Sequence, residues 1–218
     1  MPNAARSARP VVPVRRTLLL GGAALLLGCS RSGPRGQRLA PGAVILCLGD
    51  SLTAGVGAAA EASYPRQLAE RSGHPVRDGG LSGDTAAGAL QRLPGLMQAH
   101  TPALVLVSIG GNDFLRGLPI EQTEAALRGI VAAARATAQV ALIAQPQPAA
   151  LAAALGALKD HPVYARVADD TGCALHEGGW AKVLSQPELR ADPIHANAQG
   201  YGVFVEGLVG WLRDTGFL

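Results

Sequence analysis

A hydroxyl, an imidazole and a carboxylate can together move an acyl group, and this chain carries one of each on short turns. Ser51 lies in Gly49-Asp50-Ser51-Leu52-Thr53-Ala54-Gly55, a tight segment bounded by glycines. An unassisted serine is a weak nucleophile and needs a base to take its proton. His195 is the candidate base. Asp192 stands three residues earlier in Asp192-Pro193-Ile194-His195 and could hold the ring in the tautomer that accepts that proton. The backbone N–H groups of Ser51 and Gly83, with the Asn112 amide, would form an oxyanion hole, where one donor is worth on the order of 3 kcal/mol. Each residue also has a plainer use. Ser51 could cap a helix, Gly83 could serve a turn, Asn112-Asp113 could be an N-cap pair, and Asp192 with His195 could form a surface turn.

These turns need elements to position them, and the hydrophobic pattern supplies candidates. Ala43–Leu48, Ala103–Ser108 and Gln139–Ala144 are continuous apolar runs rich in β-formers, each ended by glycine, glutamine or proline. Such runs suit strands buried on both faces. Pro75–Asp78 and Cys173–His176 are shorter candidates. Helix-period segments lie between them, at about 58–72, 85–99, 119–137, 149–170 and 197–213. In the third of these, Ile120, Ala125, Leu127, Ile130, Val131 and Ala134 are expected on one face, with Glu121, Glu124 and Arg128 outside. Strands alternating with helices predict an α/β fold with a doubly wound parallel sheet and right-handed crossovers. The candidate residues fall after the carboxyl ends of the strands, where open α/β sheets place their crevice.

The composition narrows the function classes. Of 218 residues, 48% are hydrophobic, which excludes global disorder, and three cysteines with no CxxC exclude a disulfide-stapled miniprotein or that zinc pattern. The net charge is +3, but Arg6, Arg9, Arg15 and Arg16 precede residue 29 and no acid does. The remainder holds 15 basic against 16 acidic residues, a net of −1. A nucleic-acid-binding domain would want a basic face, and no such partner is expected.

Residues 1–16 are rich in Pro, Arg and Ala, and Thr17–Gly28 is a 12-residue apolar run. That is shorter than the ~20 residues of a membrane-spanning helix and reads as a signal peptide. Its end, Leu26-Leu27-Gly28-Cys29, resembles the lipobox of bacterial lipoproteins, which implies lipidation of Cys29. Arg15-Arg16-Thr17-Leu18-Leu19 loosely resembles a twin-arginine export signal. The organisation expected is a signal peptide over 1–28, a lipidated Cys29 with a flexible tether over 29–41, and one domain over 42–218. The place expected is the bacterial cell envelope, anchored by lipid and facing the periplasm, and Ser30 in place of an aspartate hints at the outer membrane. A monomer is expected.

Taken in order, GDSLTAG (49–55), GLSGDT (80–85), GGND (110–113) and DPIH (192–195) resemble the sequence blocks of the GDSL/SGNH hydrolases. The match runs from about residue 43 to the C-terminus and is closest to the small periplasmic arylesterases, thioesterases and lysophospholipases. The resemblance implies a flavodoxin-like α/β/α sandwich with five parallel strands in the order 2-1-3-4-5. It implies Ser51 as nucleophile, Gly83 and Asn112 as oxyanion donors, His195 as base and Asp192 as its orienting acid, with no metal or cofactor. By that strand order Cys47 and Cys173 stand three strand spacings apart, roughly 14 Å. A disulfide needs Cα atoms within ~7 Å, so both are expected as free buried thiols.

Two departures stand out. Asp78 occupies a position usually Asn in this branch, and Gln145-Pro146-Gln147-Pro148 replaces an Asn-Tyr-Gly feature common after the fourth strand. Since that region often helps line the acyl site, chain-length preference does not transfer. Phe114, Leu115, Trp180, Leu184 and Leu189 are either buried loop anchors or the lip of an acyl or aryl pocket. His74, His100, His161 and His176 neighbour none of the candidate blocks and are expected to be structural or exposed. The function implied is a serine esterase for small acyl esters or thioesters, or for lysophospholipids. Its rivals are an acetylesterase on polysaccharide, which a shallow polar groove would favour, a flavodoxin-like phosphate binder and a structural lipoprotein. The chain lacks GxxxxGK[ST] and GxGxxG loops, which counts against the phosphate binder.

Overall fold

The structure is a computed structural model whose described residues are 1, 36–148, 152 and 156–218. The expectations for residues 1–28 and for Cys29 lie outside them. The strands are β1 (Ile45–Gly49), β2 (Val76–Gly80), β3 (Leu104–Ser108), β4 (Gln139–Ile143) and β5 (Ala174–His176), all parallel in the order 2-1-3-4-5. The long helices are α2 (Tyr64–Ser72), α3 (Ala86–His100), α5 (Ile120–Arg135), α6 (Val163–Thr171) and α8 (Ala198–Asp214). Three short ones, α1 (Ser51–Ala54), α4 (Gly111–Leu115) and α7 (Gly179–Leu184), each lie just beyond the carboxyl end of a strand.

Side chains alternate across a strand, so each apolar run feeds two cores. Ile45, Cys47, Leu104, Leu106, Ala141 and Ile143 face α2, α7 and α8, where Tyr64, Trp180 and Phe204 pack. Leu46, Leu48, Val105, Val107, Val140 and Leu142 face α3, α5 and α6, with Leu93, Leu127, Ile130, Tyr164 and Val167. Cys47 belongs to the first core and Cys173 to the second, and both are free thiols.

The structure corrects several boundaries. Residues 36–41, expected in the tether, belong to the folded unit. The Gly36 N–H donates to the Thr215 carbonyl, the Leu39 N–H donates to that of Phe217, and the Leu39 side chain is buried in the first core. The segment expected as one helix over 58–72 is a 3-10 turn (Ala60–Ala62) followed by α2, because Pro65 lacks an N–H and fits only a first helical turn. Of the helix expected over 149–170, the described residues from 156 onward form a helix at α6, while 149–151 and 153–155 are outside the described residues. Asp160 forms a bridge to Pro146, and Pro162 caps α6. On α5, Ala125 is exposed while Thr123 and Ala126 face the core, since Thr123 is drawn inward by Asp113.

His176 closes β5 and is buried beside Phe204 and Trp211, with its Nε2 meeting no partner. Burial disfavours its charged form and lowers its pKa to about 4. A base whose folded pKa lies below its unfolded value near 6.5 leaves stability intact above pH 6.5. Stability is then lost as pH falls toward 4, by ~3 kcal/mol in all. Thermal melts from pH 7 to pH 4 should show a steeper acid limb for wild type than for His176→Leu. Parallel limbs would contradict this.

Candidate active site

β1 ends at Gly49 because the chain must turn where it meets the second loop. A Cβ at Gly49 would overlap the Thr53 side chain, and one at Gly80 would lie 2.3 Å from the Ala54 nitrogen. Asp50 then caps α1, its Oδ1 accepting from the Leu52 N–H at 3.0 Å. Ser51 becomes the first residue of that helix, at the carboxyl edge of the sheet. Its N–H, like that of Gly83, has no backbone acceptor among the described residues.

His195 reaches Ser51 from the loop before α8. Its Nε2 lies 2.9 Å from Ser51 Oγ, and its Nδ1 lies 2.7 Å from Asp192 Oδ2. A carboxylate can only accept, so Nδ1 carries the proton and Nε2 is left to accept from Ser51. Asp192 Oδ1 also accepts from the N–H groups of Ile194 (2.8 Å) and His195 (2.9 Å), which fixes the loop. Partial burial alone would raise the Asp192 carboxyl. The His195 ring and these two N–H groups hold it below its ordinary value, so it stays charged.

The second and third loops are stapled together. Gly83 adopts φ +78°, a conformation open to glycine, and its carbonyl accepts from Arg116 Nη2 at 2.7 Å. Asn112 sits in the first turn of α4, and its Nδ2 donates to the Asp84 carbonyl at 2.9 Å. One of its two amide hydrogens is thereby used and the other remains. Asp113 does not cap its own helix. It is buried and accepts from the Ala86 N–H of α3 at 3.0 Å and from Thr123 Oγ1 at 3.1 Å.

Ser51, Gly83, Asn112 and His195 border one cavity of about 470 Å³, with Asp192 behind His195. The structure thus brings all five candidates together. The apolar part of the wall includes Leu115, Pro146, Pro148, Leu158, Leu184 and Ile194. Of the five rim residues, Leu115 and Leu184 reach this wall, while Trp180 and Leu189 are buried anchors. Phe114 packs against the second core and stacks on His161 at 4.2 Å. Asp78 accepts from the Gly80 N–H at 2.8 Å, at the root of the second loop. Among the described residues no three His, Cys, Asp or Glu side chains gather as a metal would require.

Sequence reasoning missed three supporting residues. Arg92, on α3, donates to Asp84 Oδ2 at 2.7 Å, to the Gly79 carbonyl at 2.5 Å and to the Gly49 carbonyl at 2.7 Å, tying the ends of β1 and β2. Asp50 is buried, and that burial pushes its carboxyl up to about 6 against the hydrogen bonds from Gln145 and the Leu52 N–H. Gln145 is buried at the end of β4 and faces both Asp50 and Gly111.

The sheet order and this relay define a hydrolase of the serine type in architecture. The model of the GDSL-like lipase/acylhydrolase family matches residues 47–203, and the chain belongs to that family. It is similar to thioesterase 1/protease 1/lysophospholipase L1 of Escherichia coli, 45% identical over 96 residues, 43% of this chain and 46% of that protein. It is also similar to an arylesterase of Vibrio mimicus, 46% identical over 80 residues, 34% of this chain and 40% of that one. The chain thus spans less than half the length of these two relatives. The crystal structure of TesA overlays 79% of this chain and 99% of its own, at 30% identity and a TM-score of 0.71.

Proposed function

We propose that the chain is a serine esterase acting on small acyl esters or thioesters, lysophospholipids included. The observation that carries the reading is the relay from Asp192 through His195 to Ser51 Oγ at the wall of a largely apolar cavity. Ser51 Oγ attacks the ester carbonyl as His195 Nε2 takes its proton. The oxyanion is held by the N–H groups of Ser51 and Gly83 and by the free hydrogen of the Asn112 amide. His195 then protonates the leaving alcohol or thiol, which departs. Water, deprotonated by His195, cleaves the acyl-enzyme.

The apolar wall favours an alkyl or aryl acyl group over a sugar acetate. The test is hydrolysis of p-nitrophenyl esters from acetyl to palmitoyl, with Ser51→Ala as control. Activity lost in the variant, with circular dichroism unchanged, supports the reading; equal rates in both proteins contradict it. Within this mechanism Asn112→Ala should lower kcat by ~10²-fold with KM little changed, because its donor acts on charge present only in the transition state.

The proposed setting is the periplasmic side of the cell envelope, anchored through lipid on Cys29, and it rests on the pattern of residues 1–29. More than one acyl chain on a cysteine would anchor stably. Incorporation of labelled fatty acid in cells, lost in Cys29→Ser, supports this; unlabelled wild-type protein contradicts it.

A further inference from the structure

In a sheet ordered 2-1-3-4-5, β3 lies between β1 and β4, so a side chain that joins the end of β4 to the turn of Ser51 has to reach across the end of β3. Gln145 is that side chain. It is 1% exposed, two residues past β4, and its amide is used on both sides. Its Oε1 accepts from the Gly111 N–H at 2.6 Å. Its Nε2 donates to Asp50 Oδ2 at 3.0 Å and lies 3.3 Å from Ser108 Oγ at the end of β3. The orientation follows from the partners, because a flipped amide would set its nitrogen against the Gly111 N–H and its oxygen against a carboxylate. Gly111 leaves no room for a side chain there, since a Cβ would lie 2.4 Å from Gln145 Oε1.

Two of these bonds, those to Asp50 and Gly111, land one residue before a group used in the mechanism. Asp50 precedes Ser51 and Gly111 precedes Asn112. The first carries the nucleophile and the second an oxyanion donor. The two sit on loops from different strands, so their separation depends on what ties the loops together. We propose that Gln145 is a positioning residue for ester hydrolysis, a clamp that sets Ser51 and Asn112 at the spacing the tetrahedral intermediate requires. This rests on the reading of Ser51 as nucleophile. Gln145 acts through Asp50 and Gly111 and touches no reacting atom in the mechanism. Misplacement of a reacting group by about 1 Å can cost ~10²-fold in rate, so the clamp acts on turnover more than on binding.

The polarity of the clamp makes it testable by exchange. Gln145→Glu removes the donor and sets a second carboxylate beside Asp50. Asp50→Asn keeps the cap on Leu52 but faces Gln145 with a second donor. The pair Asp50→Asn/Gln145→Glu restores one donor and one acceptor, with the direction reversed, and still leaves an acceptor for the Gly111 N–H. Gln145→Met keeps the volume and has no hydrogen bonds to give. Steady-state hydrolysis of a p-nitrophenyl ester and thermal melts are measured for all four, beside wild type and Ser51→Ala.

The expected result is a fall in kcat of ~30-fold or more for both Gln145 single variants, with KM within ~3-fold, and recovery to within ~5-fold of wild type in the exchanged pair. Three outcomes overturn the proposal: Gln145→Met or Gln145→Glu keeping kcat within twofold of wild type, the pair faring no better than its single variants, or kcat and KM worsening only in step with a collapsed melting temperature. If Ser51→Ala keeps wild-type activity, the esterase mechanism itself fails. If Ser51→Ala is inactive while the Gln145 variants are unimpaired, only the clamp fails.

Discussion

With His195 exchanged for alanine, hydrolysis of a p-nitrophenyl ester is expected to fall by ~10⁴-fold or more in kcat, nearly to the level of Ser51→Ala. The size follows from the geometry. His195 Nε2 is the group at hydrogen-bond distance from Ser51 Oγ, and it must serve twice, first as base to the serine and then as acid to the leaving group. Asp50 lies close by, but its carboxylate oxygens are turned to the Leu52 N–H and the Gln145 amide. Residues that act as one relay are not additive, so Ser51→Ala/His195→Ala should lose little beyond either single change. KM should move by less than ~3-fold, because the apolar wall that holds the acyl group is untouched. A double variant worse than the singles by the product of their effects would mean that the two residues work independently.

Asp192→Asn is expected to be worse than Asp192→Ala, although asparagine is the closer mimic in shape. The Asp192 carboxylate accepts from His195 Nδ1 at 2.7 Å, and that bond leaves Nε2 unprotonated toward Ser51. An asparagine whose Oδ1 keeps the two loop N–H groups must present its Nδ2 hydrogens to the ring. Nδ1 then accepts, Nε2 carries the proton, and the base is blocked. The expected loss is ~10³-fold for Asp192→Asn and ~10²-fold for Asp192→Ala. Both sit below the loss seen when a fully buried acid is changed, because the Asp192 side chain is 44% exposed and water can substitute in part. Steady-state kcat at pH 8 checks the order. Equal losses would show that the aspartate fixes the loop and not the tautomer.

Three of the five strands, β1, β3 and β4, could be read from the chain because a strand buried on both faces has to be apolar throughout, and Ala43–Leu48 or Ala103–Ser108 has no other simple use. The edge strand β2, with Arg77 and Asp78 exposed, and the three-residue β5 gave only short signals. The site could be read for a chemical reason. A nucleophile, a base, an acid and oxyanion donors must be particular residue types, and all five candidates stand at strand ends or loops where side chains are not required for packing. The structure places Ser51, Gly83, Asn112 and His195 around one cavity, with Asp192 behind His195.

What escaped the sequence is what acts through geometry. Gln145 drew attention as part of a stretch lacking a familiar feature, yet its amide joins two loops far apart in the chain. One glutamine has no period or spacing by which to be found. Arg92 sits on a helix beside Leu93, and a charged side chain next to a core residue is a weak signal that it is turned inward; here it caps the carbonyls of Gly49 and Gly79. The helix expected over 149–170 is interrupted in its middle, from Gly156 with its left-handed φ to Pro162 just before α6, and periodicity counts neither residue against a run of alanine and leucine.

A covalent label decides whether Ser51 is the nucleophile. The chain is incubated with a p-nitrophenyl alkylphosphonate, released p-nitrophenol is counted, and the labelled peptide is located by mass spectrometry. A phosphonate retained on Ser51, formed one for one with released p-nitrophenol and absent from Ser51→Ala, is the predicted result. Label on another residue, or equal label in Ser51→Ala, would contradict the account.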